Sequence, residues 1–359
     1  MTDKIQSLVR DEVRALSAYH VPNPGDAVKL DAMENPYQFS PELTEQWLAV
    51  LKQADLNRYP DPSAQELKQT IRQAMQVPAG MELLLGNGSD EIIQMIIMAL
   101  ARPGAVVMAP EPTFVMYRMI ATFCNVAYAG VPLQADFSID MPAMRAAMEE
   151  QQPAVIFLAW PNNPTGNLFT EADVIEIIEN APGLVVVDEA YTSFAQVSFM
   201  DKLSVYDNLL VMRTVSKSGL AGLRLGYLVG SAEWLNEFDK VRMPYNINVL
   251  TQLSARFALE HLDVLDEQAA KLRSARVELM QALNDMDGIE AFDSAANFIL
   301  FRTENASDVF ACLKENKVLI KNLDPAGGAL TNCLRVTVST PQENAEFLGG
   351  LNSCINQSK

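Results

Sequence analysis

The sequence predicts an α/β protein, with a large domain built on a mostly parallel sheet covered by helices and a smaller α+β domain beside it. Three observations lead there. Between residues 104 and 230, short and nearly continuous Val, Ile, Leu and Ala runs alternate with helical patterns, as strands buried on both faces require. Beyond residue 286 the pattern changes to short strands with few helices between them. The 359 residues are 49% hydrophobic, enough for one large core and a second, smaller one.

Residues 1–30 read as an N-terminal arm, because Ile5, Leu8, Val9, Val13 and Leu16 fall at helical spacing and a Pro/Gly segment follows Tyr19. Residues 31–245 form the predicted large domain, and 246–359 the small C-terminal one with the arm packing nearby. A helix is expected over 41–54, with Pro41 in its first turn. The loop at 57–63 carries Pro60 and Pro62, which hold it extended and leave Tyr59 projecting, either for loop packing or for a ligand. A helix over 63–76 leads to the apolar run 83–85, then to Gly86-Asn87-Gly88-Ser89-Asp90-Glu91 and a helical pattern of isoleucines.

A strand, a glycine turn and a helix start suit a phosphate, because free backbone N–H groups meet the positive end of the helix dipole. The phosphate would sit at Gly88, Ser89 and Asp90. An ordinary Ser or Asp helix cap explains the same residues equally well. A dinucleotide fingerprint does not, since it needs glycine where Glu91 stands.

Strands follow at 105–108, 126–131, 154–159, 184–187, 209–212 and 225–229, with helices at 114–122, 140–150 and 171–179 among them. In such sheets ligands bind at the carboxyl ends of the strands. Four segments fall there: Pro112-Thr113-Phe114, Trp160-Pro161-Asn162-Asn163-Pro164-Thr165-Gly166, Asp188-Glu189-Ala190-Tyr191, and Ser216-Lys217 with Arg224 seven residues on. Taken alone, Lys217 is equally a Schiff-base lysine or a solvated lysine in a Ser/Gly turn. A helical pattern over 248–284 and strands at 289–292, 297–301, 318–321 and 333–338 complete the chain, with helices at 306–316 and from Pro341.

Composition excludes several classes. A net charge of −18 repels a phosphate backbone, so no nucleic-acid partner is expected and any anionic ligand needs a local basic pocket. Cys124, Cys312, Cys333 and Cys354 match neither a zinc spacing nor a disulfide scaffold, and read as reduced thiols in a cytoplasm. No export signal or membrane span is expected. His20 and His261 leave little room for a histidine metal site or a Ser-His-Asp triad, and no metal is expected.

The strand-end residues together match the needs of pyridoxal 5'-phosphate. Lys217 would bind the aldehyde, Asp188 would keep the pyridine nitrogen protonated, and Asn163 and Tyr191 would donate to the ring oxygen. Phe114 would cover one ring face, while Ser216, Arg224 and the helix start at 88–90 would hold the phosphate.

Asn163-Pro164-Thr165-Gly166, Asp188-Glu189-Ala190-Tyr191, Ser216-Lys217 and Gly222-Leu223-Arg224-Leu225-Gly226, in this order, resemble the fold-type I aminotransferases of classes I and II. The likeness runs from about residue 30 to the C-terminus. Within that family, Asp31-Ala32-Met33-Glu34-Asn35-Pro36-Tyr37, Arg58-Tyr59-Pro60-Asp61, Gly88-Ser89-Asp90-Glu91 and Cys333-Leu334-Arg335-Val336-Thr337 are most similar to the histidinol-phosphate aminotransferases. The resemblance implies ping-pong transfer of an amino group from L-glutamate to imidazole acetol phosphate, giving 2-oxoglutarate and L-histidinol phosphate in histidine biosynthesis. It implies a cytoplasmic homodimer in which Tyr59 reaches the cofactor phosphate of the other protomer. It also implies that Arg335 binds the glutamate carboxylate and the substrate phosphate in turn, with Tyr19 and Asn35 near the substrate. Some members have arginine near the strand end where Lys321 stands, so this second phosphate contact would be a point charge. An aromatic aminotransferase, a threonine-phosphate decarboxylase and a non-catalytic sensor domain are the competing readings; the short N-terminal arm has no room for the helix-turn-helix module that such a sensor would carry.

Overall fold

The computed structural model describes residues 2–18 and 21–357. Its centre is a seven-stranded sheet in which Glu82–Gly86, Gly226–Gly230, Leu209–Thr214, Leu184–Asp188, Val155–Ala159, Val106–Glu111 and Ala127–Pro132 lie side by side in that order. Only Gly226–Gly230 runs against its neighbours. The parallel strands alternate their side chains between two cores. Val107, Phe157, Val186 and Leu210 meet helices Ser89–Leu100, Met116–Phe123 and Ala232–Asp239 on one face. Met108, Ile156, Val187 and Val211 meet helices Gln65–Ala74, Met141–Gln151 and Glu171–Asn180 on the other. The strand Leu184–Asp188 buries four aliphatic residues almost completely. At about 2 kcal/mol each, that burial is of the order of a whole domain's net stability, which fixes this run at the sheet centre.

A second, four-stranded antiparallel sheet orders Lys321–Asn322, Cys333–Thr337, Phe298–Thr303 and Ile289–Ala291. Helices Leu262–Asn284, Ala306–Glu315 and Pro341–Gln357 cover it, with Leu272, Leu279, Val309, Leu313 and Phe347 in the shared core. The chain before the large sheet is tied here as well. Val28–Lys29 pairs in parallel with Val318–Leu319, and the Thr337 N–H donates to the Leu30 carbonyl at 2.9 Å.

Three expectations change. The helical pattern over 248–284 is two helices, Val249–Glu260 and Leu262–Asn284, broken at His261. The first of them places Ala255, Ala258 and Leu259 in the core of the large sheet, so packing does not divide at residue 246. Among the cysteines, Cys312 and Cys354 form a disulfide between helices Ala306–Glu315 and Pro341–Gln357, correcting the reading of four reduced thiols. Their spacing of 42 residues hides it, because only the packing of the two helices brings them together. Cys124 and Cys333 are free. Among the described residues no helix is long and apolar enough to cross a membrane.

Candidate active site

The carboxyl ends of the parallel strands open into a cavity of about 100 Å³. Lys217 enters it from the turn after Leu209–Thr214, where Ser216–Ser218 form one tight 3-10 turn and Gly219 adopts φ +112. Asn35 braces that turn, donating to the Ser218 carbonyl at 3.5 Å and to Gln268 Oε1 at 2.9 Å. Lys217 Nζ donates to the Ala32 carbonyl at 3.0 Å. Lys217 is half-buried as a residue, but burial around the amine, reinforced by the positive charges of Arg335 and Arg224, brings its pKa down to about 8.

Asp188 ends the central strand and also lines the cavity. Its Oδ2 accepts from the Tyr117 hydroxyl at 2.7 Å, and its Oδ1 accepts from the Ala190 N–H at 3.1 Å. Burial pushes its pKa up to about 6, against the lowering effect of these two donors; Asp90 and Glu189 push in the same direction as burial. Tyr191 sits one turn on, edge-on to Phe298 with centroids 5.1 Å apart. Burial raises its phenol above the ordinary range, while Arg335 opposes that rise.

Arg335 rises from the middle of the small sheet and spans the gap to the large one. One guanidinium nitrogen donates to Asn163 Oδ1 and another to the Asp31 carbonyl at 3.0 Å. Asn163 Nδ2 is thereby turned away from the arginine. The Arg335 ring-face contact with Phe298, at 5.1 Å, fixes the plane of the guanidinium. Lys321 pairs with Arg335 across neighbouring strands, and burial followed by repulsion from Arg335 lowers its pKa. Lys321 and Arg335 also line a wider cleft of about 960 Å³ that shares Met33, Phe114 and Asn163 with the first cavity.

Opposite Lys217 stands the start of helix Ser89–Leu100. Gly88 caps it with φ +84 and so offers no side chain to the first N–H groups. A Cβ at Gly88 would lie 2.7 Å from an Arg224 guanidinium nitrogen, and one at Gly226 would lie 2.7 Å from the Ser89 nitrogen. Both glycines therefore keep a cradle open between Arg224 and the helix start. Arg224, itself left-handed at φ +49, pairs with Asp90 Oδ2 at 3.3 Å. The other Asp90 oxygen is buried with no hydrogen-bond partner. Ser216 meets the Thr214 hydroxyl at 2.9 Å on the same wall.

Of the residues singled out from sequence, Gly88, Ser89, Asp90, Phe114, Asn163, Asp188, Tyr191, Ser216, Lys217 and Arg224 gather around this cavity or its phosphate-ready rim. Tyr59 does not: it is 80% exposed and stacks on Tyr245 with centroids 4.4 Å apart. Tyr19 lies outside the described residues. Sequence reading missed Tyr117, whose place in an amphipathic helix looks like ordinary core, and Met33, which lines both cavities.

A half-buried lysine, a buried carboxylate lining the same cavity and an anion cradle are the parts of a pyridoxal 5'-phosphate site. The class I and II aminotransferase family matches residues 25–351, and the chain belongs to that family of pyridoxal 5'-phosphate-dependent enzymes. It is 56% identical over 351 residues to histidinol-phosphate aminotransferase 2 of Nitrosococcus oceani, covering 97% of this chain and 98% of that one. It is 57% identical over 349 residues to histidinol-phosphate aminotransferase 2 of Cupriavidus pinatubonensis, covering 96% and 95%. In fold it is similar to the histidinol-phosphate aminotransferase of Sinorhizobium meliloti solved with pyridoxal-5'-phosphate, with a TM-score of 0.87, 22% identity and coverage of 98% and 99%.

The residues present fit that cofactor. The cradle that a Cβ at Gly88 or Gly226 would fill, beside Arg224 and an uncapped helix start, has the donors a phosphate dianion needs.

Proposed function

We propose that this chain is a cytoplasmic, homodimeric histidinol-phosphate aminotransferase, exchanging an amino group between glutamate and imidazole acetol phosphate. The observation that carries the reading is Arg335, a buried and doubly bonded guanidinium that lines the cleft adjoining the Lys217 cavity and is near enough to depress the lysine's charge. One fixed cation can receive the glutamate carboxylate and then the phosphate of the second substrate, which is what alternating occupancy of a single site needs. Identity above 50% to the two relatives supports the substrate assignment.

In this reading the backbone N–H groups of Ser89 and Asp90, with Ser216 and Arg224, would hold the cofactor phosphate, and Phe114 would cover one face of the ring. Asn163 Nδ2 and the Tyr191 hydroxyl donate to the ring oxygen. The Arg335 bond to Asn163 Oδ1 supports that orientation of the amide. Asp188 supplies the counter-charge for the ring nitrogen. When bound, the cofactor supplies the electron sink that makes the substrate α-C–H acidic. Lys217 Nζ, once freed, would take that proton from the α-carbon and deliver it across the bridging nitrogen to the carbon that had been the cofactor's aldehyde. A pKa of about 8 leaves a substantial neutral fraction of the amine near neutral pH, as a general base requires. Lys321 adds a second positive charge toward the phosphate, and Asn35 steadies the lysine turn. The exposure of Tyr59 on a surface with Tyr245 and Met243 supports its reaching a neighbouring protomer.

Two comparisons test the proposal. Lys217→Ala should abolish turnover and the near-visible absorbance of cofactor bound through Nζ; normal turnover in this variant would exclude the mechanism. Histidinol phosphate should exceed unphosphorylated histidinol in kcat/KM by about 100-fold or more, the magnitude of charge-assisted contacts from Arg335 and Lys321. Equal values would reject phosphate recognition while leaving the aminotransferase assignment intact.

A further inference from the structure

We propose that Tyr117 is a positioning residue for the reaction, its hydroxyl holding the Asp188 carboxylate charged and fixed toward the cavity while its ring supports Phe114. The inference rests on the cofactor reading above. Two groups expected around the cofactor ring, one at its nitrogen and one over its face, converge on this single side chain. Tyr117 donates to Asp188 Oδ2 at 2.7 Å. Its ring meets Phe114 edge-on at 5.5 Å and stacks on Phe157 at 4.7 Å.

The side chain has no freedom to do otherwise. Tyr117 is fully buried, and the stacked Phe157 is fully buried beneath it. Burial and the neighbouring Asp188 keep its phenol protonated far beyond physiological pH, with Tyr128 and Tyr191 acting in the same direction. It is therefore a permanent donor. Asp188 has two donors, one on each oxygen, and the second is the Ala190 N–H. Without the hydroxyl, Oδ2 would face an apolar wall. Burial, Asp90 and Glu189 would then drive the carboxyl toward its neutral form near neutral pH. A neutral carboxyl offers no counter-charge to a protonated ring nitrogen. The phenol thus acts on the cofactor through Asp188, without touching it.

The test compares holoenzymes carrying Tyr117→Phe and Phe157→Leu with the wild type. The first removes only the hydroxyl; the second disturbs the same core and keeps it. The readouts are the rate of cofactor loss after dilution, followed by absorbance, and the acid limb of the pH profile of kcat/KM for glutamate. Tyr117→Phe should release cofactor about tenfold faster, move the acid limb up by about one pH unit and lower kcat about tenfold, with KM little changed. Phe157→Leu should lower Tm while leaving cofactor retention and the acid limb in place. Wild-type retention and an unmoved limb in Tyr117→Phe would overturn the proposal. So would Phe157→Leu reproducing the same changes, because packing alone would then explain them. A wild-type protein that binds no pyridoxal 5'-phosphate would instead refute the cofactor reading beneath it.

Discussion

Lys217→Met isolates the electrostatics of the site without any chemistry. In the cofactor-free protein the amine has a pKa of about 8, against an ordinary value of 10.5, because burial and two nearby guanidinium groups disfavour its charge. Between those values the unfolded chain binds a proton that the folded protein has lost, so stability rises with pH across that window. From pH 7 to 9.5 the linkage relation gives a gain of about 2 kcal/mol from this one residue. Methionine keeps the length of the stem and removes the titration. Urea unfolding of both cofactor-free proteins at the two pH values cancels every other group that titrates alike. The expected result is that wild type gains about 2 kcal/mol on Lys217→Met as pH rises. Parallel stabilities would show that the lysine is solvated and its pKa ordinary, and the reasoning about its role as a base would fail.

Gly226→Ala should weaken cofactor binding about tenfold or more, because its Cβ would press on the Ser89 nitrogen at 2.7 Å and displace the helix start; fluorescence titration of the cofactor-free variant measures this. Arg335→Lys should lower kcat/KM for glutamate by about 10- to 100-fold, mainly through KM, since a point charge cannot replace the fork that reaches both Asn163 and Asp31. Lys321→Ala should lower kcat/KM for histidinol phosphate about tenfold and leave that for glutamate nearly unchanged, a split that steady-state kinetics on both substrates would reveal.

Much of the site was legible because strand ends are legible. The continuous run Leu184–Asp188 is what a strand covered on both faces of a mostly parallel sheet needs, and in such a sheet its terminal aspartate faces the ligand end. The same logic located Asn163 and Lys217. What sequence could not show were contacts made by packing. Tyr117 follows the helical period of a core residue, and nothing local marks its bond to a carboxylate 71 positions away. The antiparallel strand Gly226–Gly230 has the same apolar composition as its parallel neighbours, so its direction was invisible. The pairing of Val28–Lys29 with Val318–Leu319 involves two-residue strands too short to carry a period. Helix Val249–Glu260 continues the pattern of the next helix, which concealed its allegiance to the larger core until the break at His261 separated them.

The most direct measurement is a half-reaction. Histidinol phosphate is added to the cofactor-loaded enzyme without a keto acid, and the absorbance is followed until the bound pyridoxal form has become the pyridoxamine form. Rapid, complete conversion by histidinol phosphate, and slow conversion by tyrosine or phenylalanine, is the expected result. No change with histidinol phosphate, together with rapid change on an aromatic amino acid, would contradict the substrate assignment carried by Arg335 and Lys321.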